Sequence, residues 1–71
     1  MTTLGSILST ISACGLVKIM DSDDSVVFHG LCQDFRVQVP NAHEYLNREV
    51  WNIYPFTGLN DYGIAIELGN Q

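Results

Sequence analysis

His29 and Cys32 stand three residues apart in the stretch SVVFHGLCQDFRV (25–37), with Asp34 and Arg36 just beyond them. Imidazole, thiolate and carboxylate are the groups of zinc sites and of cysteine nucleophiles, so this stretch is the first place to look for chemistry. Zinc takes four ligands, and its cysteines are commonly paired two to four residues apart. The chain offers Cys14, Cys32, His29 and His43, with no C-x-x-C and no H-x-x-x-H pair. On a strand, positions 29 and 32 differ in parity and point to opposite faces. The expectation is therefore no metal site, with Cys32 as a small buried apolar residue and His29 on an outer strand face.

A cysteine nucleophile would need His29 or His43 within hydrogen-bond reach of Cys32, and Asp34 to orient the base. The sequence leaves that pair open, but a chain this short seldom forms a ligand-sized pocket by itself. It also has no Gly-rich phosphate loop, no G-x-S-x-G, no H-E-x-x-H and no paired-carboxylate motif. Asp21, Asp23 and Asp24 begin like a calcium loop, but no Gly follows at the sixth position and no Glu at the twelfth, so they read as a solvated acidic turn. No catalytic residue, metal or cofactor is assigned, and the chain reads as a non-enzyme.

The aromatics are the stronger lead. Phe35, Tyr45, Trp51, Tyr54, Phe56 and Tyr62 cluster from the middle of the chain onward. Trp and Tyr are favoured interface anchors, although some must fill the core, and Trp51 and Phe28 are expected there. Tyr54, Phe56 and Tyr62 flank Pro55. With Arg36 and Arg48 they make a candidate binding group, since a nucleotide needs an aromatic to stack on and a cation for its phosphate.

The bulk numbers narrow the partners. Seventy-one residues make one α+β domain at most, 1–71. A domain of this size buries only about 60% of its unfolded surface and commonly needs disulfides, a metal or self-association. Two cysteines are too few for a disulfide framework, and they read as buried free thiols in a reducing cytoplasm. The formal net charge is −5, and Lys18, Arg36 and Arg48 are the only Lys or Arg. Direct nucleic-acid binding, which needs several phosphate contacts, is disfavoured, as is an anionic membrane surface. No run reaches the ~18 apolar residues of a membrane span, and the apolar N-terminal stretch lacks the positive charge of a signal peptide. A basic protein partner fits the charge.

These residues must be carried by a small set of elements. TLGSILSTISAC (3–14) reads as a helix, with Leu4, Ile7, Leu8 and Ile11 on one side, Thr2 or Thr3 as cap and Gly15 as a left-handed stop. Its other face, with Gly5, Ser6, Ser9 and Ser12, is small and uncharged. An exposed helix face normally carries charge, so this one is a candidate for self-association. LVKIMD (16–21) and VVFHGL (26–31) form a hairpin around DSDDS, and Asn41 is placed to cap a short helix, AHEYLN. EVWNIYPF (49–56) and IAIELG (64–69) form a second hairpin around a turn that includes Asn60 and Asp61. In the first, Val50, Asn52 and Tyr54 face one way and Trp51 and Ile53 the other. The expected fold is α+β: an N-terminal helix packed on a small curved antiparallel sheet of about four strands, with an SH3-like barrel as the alternative. The sheet face away from the helix should show Lys18, His29, Asn52, Tyr54 and Glu67.

The layout LGSILSTI…LVKIMD…VVFHG…EVWNIYPF…GIAIEL resembles a class of short proteins encoded by phages and mobile elements of Gram-positive bacteria. The matching positions are Leu4, Leu8, Val17, Ile19, Asp21, Val26, Phe28, Gly30, Val50, Ile53, Tyr54 and Pro55. All are structural, so the resemblance carries over no catalytic or binding residue. It implies a cytoplasmic protein of a phage or its host, of a kind that often inhibits bacterial defence systems. The leading expectation is a self-associating inhibitor that binds a host protein of such a system. The alternative is an oligomeric sponge for a signalling nucleotide.

Overall fold

The computed structural model describes residues 2–59 and 62–69. The elements are α1 (Leu4–Leu8), β1 (Leu16–Met20), β2 (Val26–Leu31), a 3-10 turn (Cys32–Asp34), α2 (Phe35–Gln38), α3 (Ala42–Leu46), β3 (Val50–Thr57) and β4 (Tyr62–Leu68). The four strands form one open sheet in the order β2-β1-β4-β3. This is the α+β architecture read from the sequence, and the sheet does not close into a barrel.

The sheet is mixed. Each hairpin is antiparallel, but β1 and β4 meet in parallel at the centre, with Val17 opposite Ile64 and Ile19 opposite Ile66. The 3-10 turn, α2 and α3 carry the chain from one outer strand, β2, to the other, β3. A crossover of a dozen or more residues permits such parallel pairing. Alternation within each hairpin fixes which residues face in, not which strands become neighbours.

The helices cover one face. Their core joins Leu4 and Leu8 to Val17 and Ile19 of β1, Phe28 of β2, and Ile66 and Leu68 of β4, with Cys32, Phe35, Val39 and Ala42 from the crossover. Phe35 is fully buried and meets Phe28 edge-on, with ring centroids 5.5 Å apart. Such a pair adds about 0.5–1.5 kcal/mol beyond the burial of its area. From β3 only Val50 packs against this core, so the rest of that strand projects past the helical layer.

The first helix is much shorter than its apolar spacing suggests. Thr3 accepts from the Ser6 amide at 3.3 Å as the expected cap, but the helix ends at Leu8. Ser9 Oγ donates to the Ser6 carbonyl and Thr10 Oγ1 to the Ile7 carbonyl, each at 2.7 Å. Hydroxyl bonds of this kind compete with the helical ladder. Gly15 is not left-handed either. It admits a tight passage, where a Cβ would lie 2.9 Å from Ile11 Cγ2.

The left-handed residue is Asp24, at φ 67°, in the turn of the first hairpin. The Asp24 amide donates to the Asp21 carbonyl at 3.0 Å and the Asp21 amide to the Ser25 carbonyl at 2.9 Å. A three-residue hairpin loop with its last residue left-handed is a common solution, and Asp tolerates that conformation better than most side chains.

Candidate protein-binding surface

Trp51 is the residue around which the exposed chemistry gathers. Val50 pairs with Leu68 and Asn52 with Glu67, so Trp51 is an extra residue on β3, a bulge. Bulges re-aim side chains. The bulge moves Val50 to the core side with Ile53, leaves Asn52 and Tyr54 on the other face, and puts Trp51 outside. The expectation that Trp51 is a core residue is thus corrected: it is 60% exposed. Ile53 at 43% and Tyr54 at 37% continue the exposed surface along β3.

The indole has a fixed seat. A Cβ on Gly69 would overlap the Trp51 ring, so only glycine lets the indole lie against the end of β4. Trp51 then walls a cleft of about 220 Å³, together with Asp21, Ser22, Asp24, Glu67 and Leu68. The turn of the first hairpin supplies the acids on one side and β4 supplies Glu67 on the other. Glu67 Oε1 accepts from Asn52 Nδ2 at 3.4 Å.

Arg48 sets the electrostatics beside this cleft. Its Nη2 donates to Asp21 Oδ1 at 2.8 Å and to the Gly69 carbonyl at 2.5 Å. The Arg48 hydrogen bond, then the Ser22 amide, hold the Asp21 carboxyl below its ordinary value. Asp23 is also lowered, by the hydroxyl and amide of Ser25. Arg48 is thus occupied with Asp21, while Asp24 and Glu67 face the cleft without a cation among the described residues.

Strand β3 lies at the sheet edge, yet its outer donors are disarmed one after another. The Val50 amide donates to the Thr2 carbonyl at 2.8 Å, beside a bridge between Thr3 and Glu49. The Ile53 amide donates to Asn52 Oδ1 at 3.0 Å, and Pro55 has no amide hydrogen. Natural sheets block their edges in this way against strand addition. Three successive donor positions of this edge, 50, 53 and 55, are therefore not available to a partner strand.

The residues singled out in the sequence are scattered. Tyr54 and Phe56 lie opposite Ala65 and Gly63, on the sheet face away from the helices. Arg36 is exposed on α2, in the helical layer, so the sheet stands between it and those aromatics. Tyr62, exposed at the start of β4, is roughly 20 Å along that strand from the Arg48 contact at Gly69. Arg36, Arg48, Tyr54, Phe56 and Tyr62 are therefore not one group. On the helical side, a Cβ at Gly5 would lie 3.2 Å from the Leu46 carbonyl, so Gly5 serves the close approach of α1 to α3 within the chain. Ser6, Ser9 and Ser12 are exposed, but Ser9 and Ser12 lie past the end of the helix. The Asn60–Asp61 part of the second turn lies outside the described residues.

His29 and Cys32 are separated as their parity suggests. His29 is exposed on the sheet face away from the helices, while Cys32 is in the core with its Sγ 3.6 Å from the Leu8 carbonyl. Burial pushes the Cys32 thiol up, away from the nucleophilic thiolate. Cys14, expected to be buried, is exposed, because the chain has left the helix before reaching it. Among the described residues no three His, Cys, Asp or Glu side chains are grouped to hold a metal ion.

The open sheet face carries Lys18, His29, Asn52, Tyr54 and Glu67, as their strand positions suggest. Ala65 lies in its middle and is only 1% exposed, although it is not part of the helix-side core. The rings of His29 and Phe56, from the two outermost strands, meet over this face with centroids 5.5 Å apart. In a flat sheet those strands would be about 14 Å apart, so the sheet is strongly curled toward this side.

Comparison with family models, with curated proteins and with solved structures gives no match. No helix among the described residues is long and apolar enough to cross a membrane.

Proposed function

We propose that this chain is a non-enzymatic inhibitor that works by binding a host protein, in the manner of the phage-encoded anti-defence proteins its strand pattern resembles. The supporting observation is Trp51: the chain's one tryptophan, seated by a bulge and a glycine, lies 60% exposed on an edge strand whose Val50 and Ile53 amides are already bonded and whose residue 55 is proline. Tryptophan is among the residues most often found to dominate binding energy, and Ile53 and Tyr54 add exposed apolar surface on the two faces of the same edge strand. The chain's charge of −5 favours a basic partner.

The alternative, an oligomeric nucleotide sponge, needs a cation beside a stacking ring. Arg48 is bound to Asp21, and Arg36 lies across the sheet from Tyr54 and Phe56, so the protein-binding reading has the better support.

The test is capture of host proteins by Trp51→Ser compared with Val37→Ser. Val37 is 83% exposed on α2 and serves as the apolar control. A specific protein retained by the wild type and Val37→Ser, but lost with Trp51→Ser, supports the reading. Equal capture by both variants contradicts it.

A further inference from the structure

We infer that the cleft at Trp51 receives the cationic head of an arginine or lysine side chain from a basic segment of the partner. This rests on the protein-binding reading and names the chemistry of the contact.

Three independent features meet there. The first is shape: about 220 Å³ is roughly seven waters' worth of space and falls below the range of ordinary small-molecule pockets, but it is ample for one long side chain. The second is an exposed aromatic wall. A guanidinium or ammonium within about 6 Å of an indole face is attracted by the ring's quadrupole, and Trp is the best of the three aromatics for this. The Gly69 seat lets that wall lie against the end of β4 without a partner's help. The third is acidic charge that no cation among the described residues pairs with at the cleft. Arg48, the cation beside the cleft, is turned to Asp21 and the Gly69 carbonyl, which leaves Asp24 and Glu67 for an incoming cation.

The occupant is a protein segment rather than a nucleic acid, whose phosphates the acids would repel. A nucleotide is excluded for the same reason and by size. The exposed Trp51 ring also suits the methylene stem of a long basic side chain, which packs along apolar surface while its head stays polar.

The single tryptophan makes the test direct, because all indole emission comes from the cleft wall. Hexa-arginine is titrated into the full chain while that emission is followed, with the neutral isostere hexa-citrulline as control and spermine as a small polyamine. The variant is Asp24→Asn with Glu67→Gln: Asn keeps the left-handed turn, and Gln keeps an acceptor for Asn52. The expected result is a saturable change with hexa-arginine that weakens with added salt. It should be absent with hexa-citrulline and reduced about tenfold in affinity in the double variant. Equal affinity in wild type and variant, or an unmoved emission, overturns the inference. Spermine binding as tight as the peptide overturns the assignment to a protein segment. If host-protein capture is lost with Trp51→Ser but kept by Asp24→Asn/Glu67→Gln, the protein-binding reading stands and the cation pocket fails.

Discussion

One nitrogen of Arg48 joins two distant parts of the chain: it lies 2.8 Å from Asp21 Oδ1 in the first hairpin turn and 2.5 Å from the Gly69 carbonyl at the end of β4. The contact clamps the acidic turn against the strand that seats Trp51. It also changes the meaning of Arg48, which the sequence offers as a ligand-binding cation. The side chain is only 10% exposed, and it stacks near Tyr45 with the guanidinium carbon 6.0 Å from that ring.

Arg48→Met should therefore destabilise the fold by about 1–3 kcal/mol at neutral pH, measured by urea denaturation. The pH dependence has a definite sign. The folded Asp21 carboxyl titrates below its ordinary 3.8, so its contribution is fully present above that value and is lost as the pH falls through the lowered one. Wild-type stability should drop on acidification below about pH 4. The drop should be smaller in Arg48→Met, which lacks the main cause of the shift, and part should remain through Asp23, which Ser25 lowers.

Asp24→Gly should stabilise the protein. Asp24 has φ 67°, a region that costs a residue with a Cβ about 1 kcal/mol and glycine almost nothing. Glycine also adds unfolded-state entropy, so the net gain expected is several tenths of a kcal/mol. A rise in Tm checks it, and a fall would show that the side chain contributes to the turn.

Gly63→Ala and Gly69→Ala should behave differently although both add one methyl. At Gly63 the new Cβ runs into the backbone carbonyl of Leu16, which cannot move without disturbing β1, and a loss of more than about 2 kcal/mol is expected. At Gly69 it meets the exposed Trp51 indole, which can swing away. Gly69→Ala should keep most of the stability, shift the tryptophan emission and weaken partner binding. Thermal unfolding and fluorescence on the two variants separate these effects.

The blocked edge of β3 makes a prediction about association. Asn52→Val with Pro55→Thr frees the Ile53 amide and supplies a new donor at position 55. The double variant should self-associate through that strand more strongly than the parent. Sedimentation velocity at matched concentration reads the difference, and an unchanged distribution would mean that side chains rather than missing donors protect the edge.

What was legible in the sequence follows the range of the interaction. Strand faces depend on alternation alone, and Val17, Ile19, Ile66 and Leu68 are buried as their positions suggest. The same logic placed Lys18, His29, Asn52, Tyr54 and Glu67 on the opposite face. The Trp51 bulge was hidden because one extra residue reverses parity and shows only against the partner strand. The end of α1 was hidden because Ser9 and Thr10 turn their hydroxyls onto the backbone, a competition that apolar spacing does not record. The parallel centre and the Arg48–Asp21 contact join residues far apart in the chain, and local pattern carries no signal for either. The candidate surface was least legible of all: Trp51 reads as core and Asp24 as a solvated turn until the bulge and the hairpin bring them to one cleft.

The most direct test of the protein-binding account is site-specific photo-cross-linking in host cells, with p-benzoylphenylalanine placed at position 51, 53 or 37 in turn. Positions 51 and 53 lie on the proposed surface, and position 37 is the exposed control on α2. The account predicts that one host protein is trapped from positions 51 and 53 and not from 37. A partner trapped from position 37 and from neither strand position would contradict it.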